Sequence, residues 1–133
     1  MLRMDSFALH HPSSAAEAAQ LWAELSNDAP KSVMFINGGT DLLPNMKHRI
    51  IEPAHLIDLS GALSSGWHTN ADNQLVIGAG TKLSELAQIP HLPPLAESAG
   101  LVASPQIRNM ATFGGNVMLD TRCMYYNQSE PWR

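Results

Sequence analysis

Two short glycine pairs carry most of the chemical potential of this sequence. The first lies in Asn37-Gly38-Gly39-Thr40-Asp41, which joins the apolar run Val33-Met34-Phe35-Ile36 to Leu42-Leu43. The run suits a strand buried on both faces. Two residues without a Cβ then let the backbone turn sharply and approach a ligand closely. Thr40 and Asp41 are both good helix N-cap types. A strand, a glycine turn and a capped helical turn aim unpaired backbone N–H groups at one point, a geometry that suits an anion, most often a phosphate or pyrophosphate. The same residues also suit an ordinary strand-to-helix joint. A second stretch of similar chemistry, Thr112-Phe113-Gly114-Gly115-Asn116, stands near the other end of the chain. Read alone, its glycine pair is equally compatible with a plain turn.

Other chemistries find less support. The histidines are His10, His11, His48, His55, His68 and His91, and none stands at metal-binding spacing with an acidic partner. There is no Cys-x-x-Cys, so a zinc site built from this chain alone is not expected. No Gly-x-Ser-x-Gly occurs, and no nucleophile is paired with a base. Apolar residues make up 44% of the chain and charged residues 15%, which places it among globular proteins. A formal net charge of −4 argues against a nucleic-acid partner, and Lys47-His48-Arg49, the one short basic run, reads as a solvated turn. No apolar run approaches the roughly 20 residues that cross a bilayer. With a single cysteine, Cys123, an internal disulfide framework is excluded, and the expected location is the cytoplasm.

The elements that position the two glycine stretches follow from the pattern around them. Ser6-Phe7-Ala8-Leu9-His10 alternates as a short strand that Pro12 ends. Ser14-Ala15-Ala16-Glu17 reads as a capping box, opening a helix to about Leu25 with Ala18, Leu21, Trp22 and Leu25 on its core face. A break at Asn27-Asp28-Ala29-Pro30 returns the chain to the Val33 strand, giving a β-α-β unit with a parallel pair. Residues 42–51 are expected as one or two irregular helical turns, and Leu56-Ile57-Asp58-Leu59 as a strand. Residues 1–60 form a first lobe on this reading, and residues 61–133 begin a second. The second opens with a hairpin, Gly66-Trp67-His68-Thr69 and Gln74-Leu75-Val76-Ile77 around Asn70-Ala71-Asp72-Asn73. Thr81 is expected to cap a helix over residues 82–87, and Pro93-Pro94 to precede another ending near Val102. Residues 103–109 read as a polar connector. No internal repeat and no low-complexity segment is evident. The tail, residues 120–133, holds a cysteine, two tyrosines and a tryptophan where a chain end is usually polar, and reads as the interior of a longer chain.

Taken together, Asn37-Gly38-Gly39-Thr40-Asp41-Leu42-Leu43-Pro44 and Ala103-Ser104-Pro105-Gln106-Ile107-Arg108-Asn109-Met110-Ala111-Thr112-Phe113-Gly114-Gly115-Asn116 closely resemble the FAD-binding subunit of molybdenum hydroxylases. This family includes the medium subunit of carbon monoxide dehydrogenase and the flavin domain of xanthine dehydrogenase. Gly78-Ala79-Gly80-Thr81-Lys82-Leu83-Ser84-Glu85-Leu86 and Pro94-Leu95-Ala96-Glu97 fit the same pattern. Within the family, Arg122-Cys123-Met124-Tyr125-Tyr126-Asn127-Gln128-Ser129 looks most like the beta subunit of 4-hydroxybenzoyl-CoA reductase, whose extra insertion binds a 4Fe–4S cluster through four cysteines. Cys123 matches the first of these, and one thiolate cannot build a cluster.

The resemblance implies an α+β, two-lobed FAD-binding fold of the vanillyl-alcohol-oxidase type, its second lobe incomplete over these residues. It implies that Asn37, Gly38, Gly39, Thr40, Asp41, Leu42 and Leu43 contact the pyrophosphate, with Thr40 and Asp41 adding side-chain contacts. Thr112, Phe113, Gly114, Gly115 and Asn116 would form the facing wall, and Val102 a further contact. No catalytic residue is implied. The flavin would pass electrons between an external carrier such as ferredoxin and a 2Fe–2S partner subunit, while substrate chemistry occurs on a molybdopterin-binding large subunit. The expected function is that of a flavin subunit in the reductive dehydroxylation of 4-hydroxybenzoyl-CoA. Alternatives are the corresponding subunit of an aldehyde, xanthine or carbon monoxide dehydrogenase, or a non-catalytic assembly module without flavin.

Overall fold

The computed structural model describes residues 3–27, 29–121 and 123–125. Strands β1 (Ala8–His10), β2 (Val33–Ile36) and β3 (His55–Asp58) form an all-parallel sheet in the order β1-β3-β2. The β-α-β unit is therefore present, but its two strands do not pair with each other. Strand β3 takes the central place because Leu56 and Ile57, at 1% and 0% exposure, need apolar cover on opposite faces.

Helix α1 (Ala15–Ser26) covers one face, packing Ala18, Leu21 and Leu25 near Val33 and Ile57. Helix α2 (Leu42–Lys47) covers the other, with Leu42 and Met46 against Leu56. Trp22, expected on the core face of α1, is instead 41% exposed. Strands of three or four residues offer too narrow a surface to cover a fourth apolar position of the helix. At its start, the Ser14 hydroxyl accepts from the Glu17 N–H at 3.2 Å. The reciprocal arm differs from the expected capping box: the Glu17 carboxylate accepts from the N–H and hydroxyl of Ser13, both at 2.7 Å.

Beyond residue 60, β4 (Trp67–Thr69) and β5 (Leu75–Ile77) form the expected antiparallel hairpin. Its turn is set by Asn70, whose Oδ1 accepts from the N–H groups of Asp72 and Gln74. Four short helices follow: α3 (Leu83–Leu86), α4 (Pro93–Gly100), α5 (Pro105–Met110) and α6 (Phe113–Val117). They enclose a core of Leu83, Leu86, Ile89, Ala99 and Ala111. Thr81 does not cap α3; Lys82 holds that position. The Thr81 hydroxyl, fully buried, instead faces the carbonyl oxygens of Gly78 at 2.7 Å and Gly66 at 3.0 Å, tying the bend to the hairpin. The connector at residues 103–109 contains helix α5, for which Ser104 is N-cap and Pro105 starts the first turn. The second glycine stretch is likewise helical, opened by Thr112, whose Oγ1 accepts from the Gly115 N–H at 3.2 Å. Arg122 and residues 126–133, which carry most of the tail motif, lie outside the described residues.

Two outcomes follow for stability. Ile57→Ala should cost about 2–5 kcal/mol in urea denaturation, and Trp22→Ala less. The two Ser13 donors, backbone first and hydroxyl second, hold the Glu17 carboxyl below the usual glutamate range. A depressed folded value means this contribution is present above the unfolded pKa and lost as pH falls through the folded one. An NMR titration should accordingly find the Glu17 midpoint raised by Ser13→Ala.

Candidate functional site

The first glycine stretch leaves the carboxyl end of β2, and Leu59, which donates to the Ile36 carbonyl at 2.9 Å, leaves the end of β3. Ligand clefts of parallel sheets open at such strand ends. Gly38 and Gly39 have φ values of +80° and +69°, the left-handed region that side chains disfavour. Gly38 also lies flat on the end of α5, where a Cβ would fall onto the carbonyl oxygen of Met110. Helix α6 closes in from the other side. A Cβ on Gly115 would come within 3.3 Å of the Asn37 carbonyl oxygen, and one on Gly114 within 2.8 Å of the Ala79 side chain.

Between the two stretches is a cleft of about 520 Å³. Asn37, Gly39, Thr40, Asp41 and Leu42 line it from one side, and Thr112, Gly114, Gly115 and Asn116 from the other. The structure thus brings nine of the residues singled out from the sequence to one cavity. The others are placed elsewhere. Gly38 lies underneath the turn, Leu43 packs in the α2 core, and Val102 and Phe113 pack against the core of the second half. Cys123 is an exposed free thiol, and among the described residues no group of three or more histidines, cysteines and acids could hold a metal.

The two stretches do not play the same role. Among the described residues, the N–H groups of Gly39 and Thr40 have no backbone acceptor, so the first turn has donors to offer. The second stretch uses its own: Phe113 N–H donates to Thr81, Gly114 to Ala79 and Asn116 to Thr112, at 2.7 to 2.9 Å. Gly115 donates to the Thr112 hydroxyl. It is a wall, and its glycines permit close packing without supplying donors.

Sequence reasoning missed the apolar part of the lining. Met34, Phe35 and Ile36 of β2, Ile51, Leu59 and Leu63 contribute to it, with Met118 and Leu119 beyond α6. The readable signal was position, since several of these follow or end a parallel strand. Among the described residues, the cleft lining contains no lysine, arginine, histidine or cysteine, and its charged members are Asp41 and Asp120. With backbone donors at one place and a broad apolar surface beside them, the cavity suits an elongated ligand with an anionic centre and a flat ring. Because Gly38 meets backbone, Gly38→Ala should destabilise the fold by about 1–3 kcal/mol in chemical denaturation. Gly39→Ala should cost less, since its new Cβ meets only the side chains of Ile36 and Leu43.

Residues 5–127 match the family described as the FAD binding domain in molybdopterin dehydrogenase. The carbon monoxide dehydrogenase medium chain of Hydrogenophaga pseudoflava is 39% identical over 115 residues, covering 84% of this chain and 39% of that protein. A xanthine dehydrogenase FAD-binding subunit of Escherichia coli K12, XdhB, described as putative, is 35% identical over 118 residues, 85% of this chain and 39% of its own length. A solved structure of the carbon monoxide dehydrogenase from Hydrogenophaga pseudoflava superposes with a TM-score of 0.77 at 37% identity, over 86% of this chain and 40% of that one. The chain thus spans about two fifths of the length of the relatives it matches. The parallel sheet, the paired glycine stretches and the cleft between them agree with these similarities, and the chain belongs to the FAD-binding domain family of molybdopterin dehydrogenases.

Proposed function

We propose that this chain is the pyrophosphate-holding part of an electron-transferring FAD subunit in a molybdenum-containing oxidoreductase. The observation that carries this reading is the cleft itself, where free backbone donors at Gly39 and Thr40 adjoin an apolar lining. The residues fit FAD, whose pyrophosphate needs N–H donors and whose rings need apolar contact. Its isoalloxazine ring, when bound, supplies the electron-accepting and electron-donating chemistry. The chain's own residues hold and orient. The Gly39 carbonyl is pinned by the Leu43 N–H at 3.1 Å, so the trans peptide aims the Thr40 N–H in the opposite direction, away from α2. Helix α6 bounds the far side of the cleft through Gly114, Gly115 and Asn116.

In this reading the partners are a molybdopterin-binding large subunit and a 2Fe–2S small subunit, with a carrier such as ferredoxin at the electron-entry end, in the cytoplasm. The substrate we favour is 4-hydroxybenzoyl-CoA, undergoing reductive dehydroxylation to benzoyl-CoA. That assignment rests on Arg122-Cys123-Met124-Tyr125-Tyr126-Asn127-Gln128-Ser129, in which Cys123 would serve as one ligand of a 4Fe–4S cluster. It is tested by reading the gene beyond the Arg133 codon. Three further cysteines in a short insertion support it, and a frame without them returns the substrate to the aldehyde, xanthine or carbon monoxide type.

The FAD assignment is tested by titrating the folded chain with FAD and following flavin fluorescence. Saturable quenching that ADP competes away is expected, with a loss of at least tenfold in affinity for Gly114→Val, whose side chain would push α6 from Ala79. A folded chain that shows no saturable FAD binding would overturn it in favour of an assembly module without flavin.

A further inference from the structure

The cleft poses an electrostatic problem. Its donor turn rests on the carbonyl end of α5, the negative end of that helix. A pyrophosphate placed there meets an unfavourable field from below. Helix α5 ends at Met110, and the Met110 carbonyl oxygen is the atom beneath Gly38. On that same oxygen sits a positive charge: the Lys82 ammonium donates to it at 3.1 Å.

The root of this lysine is held firmly. Lys82 pairs with Thr112 in an antiparallel bridge, Leu83 N–H donates to the Ala111 carbonyl at 3.0 Å, and Phe113 N–H donates to the Thr81 carbonyl at 2.7 Å. Residues 81–83 are thereby zipped along residues 111–113, immediately after the Met110 oxygen. The Met110 carbonyl thus joins three parts of the molecule: the glycine turn lies on it, α5 ends in it, and the ammonium neutralises it.

We propose that Lys82 is an electrostatic positioning residue for the dinucleotide pyrophosphate, acting through the Met110 carbonyl and not by direct contact. Its charge converts the floor of the glycine turn from repulsive to attractive for an anion. This role rests on the FAD reading above. It concerns only the anionic part of the ligand, so it separates pyrophosphate-bearing flavins from a bare flavin ring.

The test is to measure the affinity of FAD and of lumiflavin for the wild-type chain, Lys82→Met and Lys82→Arg, between low salt and about 0.5 M NaCl. Lys82→Met keeps the length of the side chain and removes the charge. FAD affinity should fall about three- to tenfold in Lys82→Met at low salt, and the difference should shrink as salt screens the charge. Lumiflavin affinity should be unchanged, and Lys82→Arg should retain most of the FAD affinity. Equal FAD affinity and equal salt dependence in wild type and Lys82→Met would overturn the proposal. So would a parallel loss of FAD and lumiflavin, which would mark a merely structural lysine. A wild-type chain that binds no FAD overturns the functional reading itself, and the role of Lys82 with it.

Discussion

The contact between the Gly38 backbone and the Met110 carbonyl is the constraint on which the site depends. The first half of the chain reaches the second through backbone surfaces, with no side chain between them at this point: Gly38 on the end of α5, and Gly115 beside the Asn37 carbonyl. Such contacts tolerate no added atom, because backbone cannot rotate aside as a side chain can. The cleft exists because two rigid halves meet this closely at its base and diverge above it. The apolar residues of β2, together with Leu59 and Leu63, then line the space that remains.

This arrangement divides the work between the two halves. The parallel sheet with α1 and α2 supplies β2, which is not the strand buried on both faces that its apolar run suggests but an edge strand with Phe35 42% exposed. Its carboxyl end delivers a turn with open N–H donors. The second half, built from a hairpin and four short helices, engages the N–H groups of Phe113, Gly114, Gly115 and Asn116 within itself and presents a passive wall. It anchors that wall through the fully buried Thr81 and Thr112, whose hydroxyls bond backbone groups within the bend and the α6 cap. Burying a hydroxyl is tolerated only where a partner meets it, and here both partners belong to the segments that shape the cleft.

Much of the local structure was legible in the residues. Ser14 with Glu17, the Asn70-Ala71-Asp72-Asn73 turn, and Pro93-Pro94 announce their elements because capping and turn formation depend on neighbours a few positions away. Where reading failed, local signals competed. Ser104-Pro105 is a helix start that the polar residues after it obscured, and Gly114-Gly115 reads as a loop because glycine disfavours helix interiors. In the folded protein that cost is accepted because only glycine lets α6 approach Ala79 and Asn37.

By itself, then, the sequence determined most of the elements and the two glycine stretches, since capping and chain reversal are short-range properties. Family membership was also legible there, in the order and identity of its motifs. Tertiary structure alone decided that β3 separates β1 from β2, that Trp22 faces solvent, and that Val102, Leu43 and Phe113 turn inward to cores. It also decided which stretch donates hydrogen bonds. Donor availability depends on whether a distant carbonyl, such as that of Ala79 or Thr81, has already taken the N–H, and sequence spacing carries no record of that pairing.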